Sequence, residues 1–220
     1  MKSYFFISIL LIILTTYACG KDKEPDINDS IQVGFHDDTF IHHEYTPPLE
    51  LVVVWDSLNL QAYGKKTIHI QTSNGIVDVV MSLNLLNQDS IHLIDSISPE
   101  PYPSLMLTWN ADFDPIVEFE IIYIGQGHSA KVYSIRPLNY IASIGNNSDF
   151  SSRLSSTKKL RLWEIPPSGG GPSQGLTYGP WYNLSSIKYI GFNNNGKLGW
   201  IKIDNTNRKH PKIISYAIRK

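Results

Sequence analysis

From His36 to Glu44 the sequence reads His-Asp-Asp-Thr-Phe-Ile-His-His-Glu, which gathers three of the seven histidines and three carboxylates in nine residues. Imidazole and carboxylate together suit zinc or another transition ion. Successive strand residues point to opposite faces, so His42 and His43 would diverge; the segment is read as a solvated strand end or loop, and no metal ligand is assigned. In Ile116-Val117-Glu118-Phe119-Glu120-Ile121-Ile122-Tyr123, alternation puts Glu118 and Glu120 on one face, about 7 Å apart along the strand. Paired carboxylates at about 5 to 5.5 Å act as nucleophile and acid in retaining glycosidases, and two glutamates on a solvent-facing strand give the same pattern. Five tryptophans (Trp55, Trp109, Trp163, Trp181 and Trp200) could stack on sugar rings or fill a core. Tryptophan more often fills a sandwich core, and Trp181, in Tyr178-Gly179-Pro180-Trp181-Tyr182 beside a glycine-rich stretch, is the best candidate among them for exposure. Trp181, Tyr182 and Tyr178 are therefore the candidate ligand-binding residues. Nucleophile elbow, P-loop, zinc-protease and dinucleotide motifs are absent, so no catalytic residue and no cofactor is assigned.

Composition narrows the partners. The 220 residues hold 19 Lys+Arg against 20 Asp+Glu, with 42% hydrophobic and 18% charged. A net charge of -1 provides no general field for polyanions, so nucleic acid is not an expected partner. One cysteine excludes both a disulfide framework and a multi-cysteine zinc site. Low charge with abundant isoleucine, valine and aromatic residues argues against intrinsic disorder.

The N-terminus has the layout of an export signal: Lys2, an apolar run from Tyr4 to Leu14, then Thr15-Thr16-Tyr17-Ala18 before Cys19. The run is too short for a membrane span, which takes about 20 residues, and suits a cleaved signal peptide over residues 1–18. Residues 19–30 are charged and interrupted by Pro25, as a flexible tether is.

From residue 31 to 220 one domain is expected, with a split into two smaller sandwiches near Pro99 to Pro103 as the alternative. Short β-branched and aromatic runs of period two recur between Gly, Pro, Asn, Asp and Ser clusters. They predict strands over 31–35, 50–55, 67–71, 77–83, 91–94, 105–109, 116–124, 131–135, 138–144, 159–165, 187–193, 198–204 and 212–218. Strands without intervening helices cannot form parallel crossovers, so the expected fold is all-β, an antiparallel β-sandwich of jelly-roll-like type. The breaks from Gly145 to Thr157 and from Pro166 to Thr177 are expected to be surface loops that pack no core.

One hairpin can be registered from sequence. Asn195-Gly196 is a favoured type I′ turn pair. With Asn194 opposite Lys197, Phe192 faces Gly199, Gly191 faces Trp200 and Ile190 faces Ile201. Ile190, Phe192, Ile201 and Ile203 then share the core face, while Tyr189 and Trp200 share the other, and each aromatic ring can cover a glycine across the ladder.

Several of these segments resemble known groups. Ala18-Cys19 resembles the lipobox of bacterial lipoproteins, with Thr16 where leucine is commonest; the resemblance implies an acylated Cys19 and a mature chain of residues 19–220. The charged stretch after Cys19 resembles the surface-export signals of Bacteroidota lipoproteins. Gly179-Pro180-Trp181, Tyr189-Ile190-Gly191-Phe192, Gly199-Trp200-Ile201 and Tyr216-Ala217 are similar to the C-terminal signature of secreted Bacteroidota proteins. That group often carries a calcium-like loop, whose counterpart over Ile70 to Asp78 keeps too few carboxylates and reads as a hairpin turn. Asp-Ser-aliphatic triplets at Ser30, Ser57, Ser90 and Ser96 resemble the O-glycosylation acceptor of the same bacteria. The Glu118 strand resembles the catalytic strand of jelly-roll glycoside hydrolases but lacks the final glutamate. The expected function is thus a non-enzymatic binding module for a glycan or another envelope protein, held on the outer membrane through lipid on Cys19. The alternatives are a jelly-roll hydrolase using Glu118 and Glu120 and a structural envelope subunit.

Overall fold

The computed structural model describes residues 30–56, 61–86, 104–110, 112–125, 128–153, 158–164, 179–207 and 210–220. Among the described residues fourteen strands follow one another: β1 (Ser30–Gln32), β2 (Phe40–Glu50), β3 (Val53–Asp56), β4 (Gln61–Thr72), β5 (Gly75–Leu86), β6 (Ser104–Trp109), β7 (Phe113–Pro115), β8 (Val117–Gly125), β9 (His128–Ile135), β10 (Ser143–Gly145), β11 (Lys159–Glu164), β12 (Ile187–Asn194), β13 (Lys197–Asp204) and β14 (Lys212–Arg219). The only helical turn among the described residues is a three-residue 3-10 turn, Ser151–Arg153.

The strands form a seven-stranded sheet, β3-β4-β5-β6-β11-β9-β8, and a five-stranded sheet, β2-β14-β13-β12-β7; β1 and β10 pair separately. Within the two larger sheets pairing is antiparallel except between β11 and β9. This is the expected all-β sandwich. Residues Ile31–Lys220 make up one unit.

Alternation explains the main core. The seven-stranded sheet contributes Ile68, Ile70, Val79, Met81, Leu83, Leu105 and Leu107, and the five-stranded sheet answers with Ile190, Phe192, Ile201, Ile203, Ile213 and Ile218. Each such side chain, once fully buried, stabilises the fold by about 1.5–3 kcal/mol. The β12–β13 register is the one derived from sequence, with Asn194 on Lys197, Phe192 on Gly199 and Ile190 on Ile201. Asn195 and Gly196 turn with φ of 50° and 84°. Phe192 covers Gly199 as expected, but Gly191 is met by Ile144, Leu138 and Ile116 rather than by Trp200.

The hairpin is buried on both faces. Tyr189, Leu198 and Trp200 belong to a second core with Ile31, Val33, Ile116, Ile144 and Phe150. Main-chain hydrogen bonds from Val33 to Ala142 (2.8 Å) and from Ile141 to Val33 (2.9 Å) tie β1 to the segment that closes this layer. That corrects the expectation that residues 145–157 pack no core: Phe150 is 4% exposed, and Asp149 accepts the Val117 amide. The expected strands at 91–94 and the stretch from Pro166 to Thr177 lie outside the described residues. The expected 138–144 strand is confined to β10, because Leu138 forms only an isolated bridge to Tyr189 and Ile141 turns with φ of 67°.

Candidate functional site

A cavity of about 510 Å³ opens beside the edge strand β2. His43, Tyr45 and Leu49 of β2, with Tyr216 of β14, form one wall; Lys66, Thr67, His69 and Gln71 of β4 form the other. Period two on β2 puts His43 and Tyr45 on the face that carries Ile41 towards the core. The His43 ring meets Tyr45 edge-on at 4.5 Å and Tyr216 at 5.7 Å. Tyr216 bridges the two walls, because its hydroxyl accepts the Gln71 main-chain N–H at 2.9 Å. Burial, with Tyr216 adding to it, pushes the Tyr45 phenol up to about 12, so Tyr45 is a neutral hydroxyl at physiological pH. His69 is held by the Asp78 carboxylate at 2.6 Å from the directly opposed position on β5. The cleft therefore offers aromatic surface, hydroxyls and cationic groups. Among the described residues its wall contains no carboxylate.

A smaller hollow of about 200 Å³ lies at the opposite side of the seven-stranded sheet, lined by Glu118, Phe119, Tyr133, Arg136, Asp149 and Phe150. Arg136 stands 3.6 Å from Glu118 and 3.4 Å from Asp149. Burial raises the Glu118 carboxyl above its ordinary range, Arg136 pulls it down and Glu120 pushes it up. Glu120 does not join it in the hollow: its carboxylate accepts the Gly179 amide at 2.6 Å and anchors the Gly179–Tyr182 turn. The two glutamates thus meet different partners, and neither is a free group on a solvent-facing strand. The apolar side of the strand is the exposed one: Phe119 is 53% and Ile121 56% exposed. β8 is the last strand of its sheet, and these side chains belong to neither core.

Trp181 corrects the expectation of a surface aromatic. It is fully buried, and its indole N–H donates to the Ile135 carbonyl at 2.8 Å. Asn205 locks the same turn, donating to the carbonyls of Trp181 (3.0 Å) and Leu184 (2.6 Å). Tyr182 is half-buried and packs edge-on against Trp163 at 5.5 Å. Tyr178 and the Cys19 lipid-attachment position lie outside the described residues. Trp109, Trp163 and Trp200 are core residues.

The histidine segment is divided by its strand, as alternation requires. His42 stacks on His36 at 3.6 Å beside Trp200, while His43 faces the cleft. Asp37 is engaged by Thr39, and among the described residues no three metal-ligating groups converge. The Ile70–Asp78 stretch is a hairpin turn, with Thr72 opposite Gly75.

The sequence reading missed the cleft because its walls come from residues 43–49, 66–71 and 216. The available signal was the run of His43, Tyr45 and Pro47-Pro48, dense in residues that an edge strand tolerates. No protein-family profile, curated protein or solved structure matches this chain.

Proposed function

We propose that this chain is an exported lipoprotein of the Bacteroidota type, acylated at Cys19 and held on the outer membrane, whose β-sandwich is a non-enzymatic binding module. The observation that carries the binding half is the cleft between β2 and β4, where aromatic rings, hydroxyls and cationic groups converge on one concavity. Ligand sites combine apolar walls with a few placed polar groups in this way. The cleft replaces the Trp181 turn as the ligand site, since a fully buried indole offers no stacking face. A glycan or an extended segment of an envelope protein are the two ligand classes that suit it. A hydrolase working through Glu118 and Glu120 has less support, because the Gly179 amide occupies the second carboxylate.

Amide-resolved NMR on the mature chain carrying Cys19→Ala tests the site. Titration with neutral oligosaccharides, polygalacturonate and strand-forming peptides should shift His43, Lys66 and His69, and Tyr45→Ala should abolish the shifts. Shifts confined to the Glu118 hollow would move the site there and overturn this reading.

A second reading, a structural envelope subunit, is favoured by β8. Beyond Val117, whose amide meets Asp149, its residues pair on one side only among the described residues and expose Phe119 and Ile121 without a proline to blunt the edge. If β8 is an assembly edge, the wild-type chain sediments as associated species and Ile121→Lys as a monomer.

A further inference from the structure

One wall of the cleft is main chain, and that wall specifies a ligand class. β4 and β5 form a two-residue hairpin in which Thr72 opposes Gly75. In such a hairpin the residues flanking the turn exchange hydrogen bonds, and alternate residues back along the strand do the same. Thr72, Ile70, Ile68 and Lys66 therefore bond to β5, whereas Gln71, His69, Thr67 and Lys65 direct their N–H and C=O groups away from it. The Gln71 N–H, which reaches Tyr216 instead of β5, follows this parity. β3 covers β4 only from Gln61 to Gly64. The Val53–Gly64 pair, not itself hydrogen-bonded by this parity, is flanked by a bond from the Lys65 N–H to the Val52 carbonyl, so the outward main-chain groups without a partner among the described residues are those of Thr67 and His69, which line the cleft with Gln71.

Charge supplies a second, independent constraint. Lys66 projects from the core-facing parity of β4 into the cleft and has no carboxylate partner among the described residues. His43 and His69 add imidazoles, and the Asp78 carboxylate beside the wall is held by His69. We propose that the cleft is a strand-addition site, in which an extended acidic polypeptide segment pairs with the free edge of β4 at Thr67 and His69 and lays alternate side chains against Tyr45, Leu49 and Tyr216. Main-chain hydrogen bonds then provide affinity, and the wall of β2 and β14 reads the side chains. This rests on the reading of the cleft as the ligand site.

The test uses the mature chain with Cys19→Ala and three fluorescein-labelled decapeptides: alternating valine and glutamate, alternating valine and lysine, and the first one N-methylated at alternate residues. Polygalacturonate serves as the acidic glycan probe. The valine–glutamate peptide should bind by anisotropy and slow amide hydrogen exchange at Thr67 and His69. N-methylation should abolish binding, and Lys66→Ala should weaken it roughly tenfold, the worth of one charge-assisted hydrogen bond. Thr67→Pro removes an outward N–H without touching the β4–β5 ladder, so it should abolish binding while circular dichroism stays unchanged. Equal binding of the valine–lysine peptide would overturn the acidic preference. Polygalacturonate binding at His43 and Lys66 without slowed exchange on β4 would overturn strand addition and leave the cleft a glycan site. If neither probe binds, both the inference and the cleft as a ligand site fall.

Discussion

His42 shows how a residue chosen for its chemistry can be used for something else. Its ring lies face to face with His36 at 3.6 Å and 6.1 Å from Trp200, so it extends an aromatic surface rather than closing a metal site. Burial lowers its proton affinity below the ordinary histidine value of 6.5, and His36 lowers it further. The facing groups act in both directions, Glu44 raising it and His43 and Lys202 lowering it. A depressed folded-state pKa means that the unfolded chain binds the proton more readily. The His42 contribution is thus present above about pH 6.5 and is lost as pH falls through the lower folded value. Urea denaturation at pH 7.5 and pH 5 should show a wild-type loss of stability on acidification that His42→Gln reduces; an unchanged pH dependence would place the titration elsewhere. At this scale the sequence was legible in residue types and not in their surroundings. Gly179-Pro180-Trp181 marks a turn, yet the same turn can aim an indole outward or, as Asn205 and Ile135 fix it here, into the core.

At the scale of elements, the hairpin was legible because turn chemistry and a two-residue period over-determine its register. Gly199 carries that determination in one position. A Cβ there would stand 2.5 Å from the Phe192 ring and 2.7 Å from the Ala217 carbonyl, and the second neighbour is main chain that cannot swing away. Gly199→Ala should therefore cost roughly 1–3 kcal/mol, the usual range for overpacking, measured as a lowered urea midpoint with unchanged slope. Gly196→Ala is the contrast: it has open space around it but a φ of 84°, so its cost is backbone strain alone. What alternation could not reveal is the second layer. Tyr189 and Trp200 read as one face of a ribbon, and only the return of β1, β10 and Phe150 over that face makes it a core. Those covering segments are far away in sequence and too short or irregular to carry a period of their own. The edge strands were hard to read for a related reason. β2 carries polar residues and two prolines because it is an edge, and so resembles a loop.

At the scale of the molecule, fold class was legible because strands without helices admit few architectures, whereas the cleft was not, since it exists only where two sheets meet at a common border. The proposed anchor lies at the other end of this range, readable from a few residues and independent of the fold. Among the described residues no helix is long and apolar enough to cross a membrane. Each buried acyl methylene contributes about 0.8 kcal/mol to membrane affinity, so two or three chains on Cys19 would hold the domain nearly irreversibly. Cys19 precedes the first described strand, which begins at Ser30. Loss of the thiol should therefore move the protein without unfolding it. In a host that acylates lipoproteins, wild-type chain should sediment with membranes and resist salt extraction, and its intact mass should be that of residues 19–220 plus acyl groups. Cys19→Ala should stay out of the detergent-soluble lipoprotein pool while the purified chain unfolds at the same temperature. Salt-extractable wild-type protein of unmodified mass would remove the anchor and leave the sandwich with its cleft as a module whose place in the cell must be sought elsewhere.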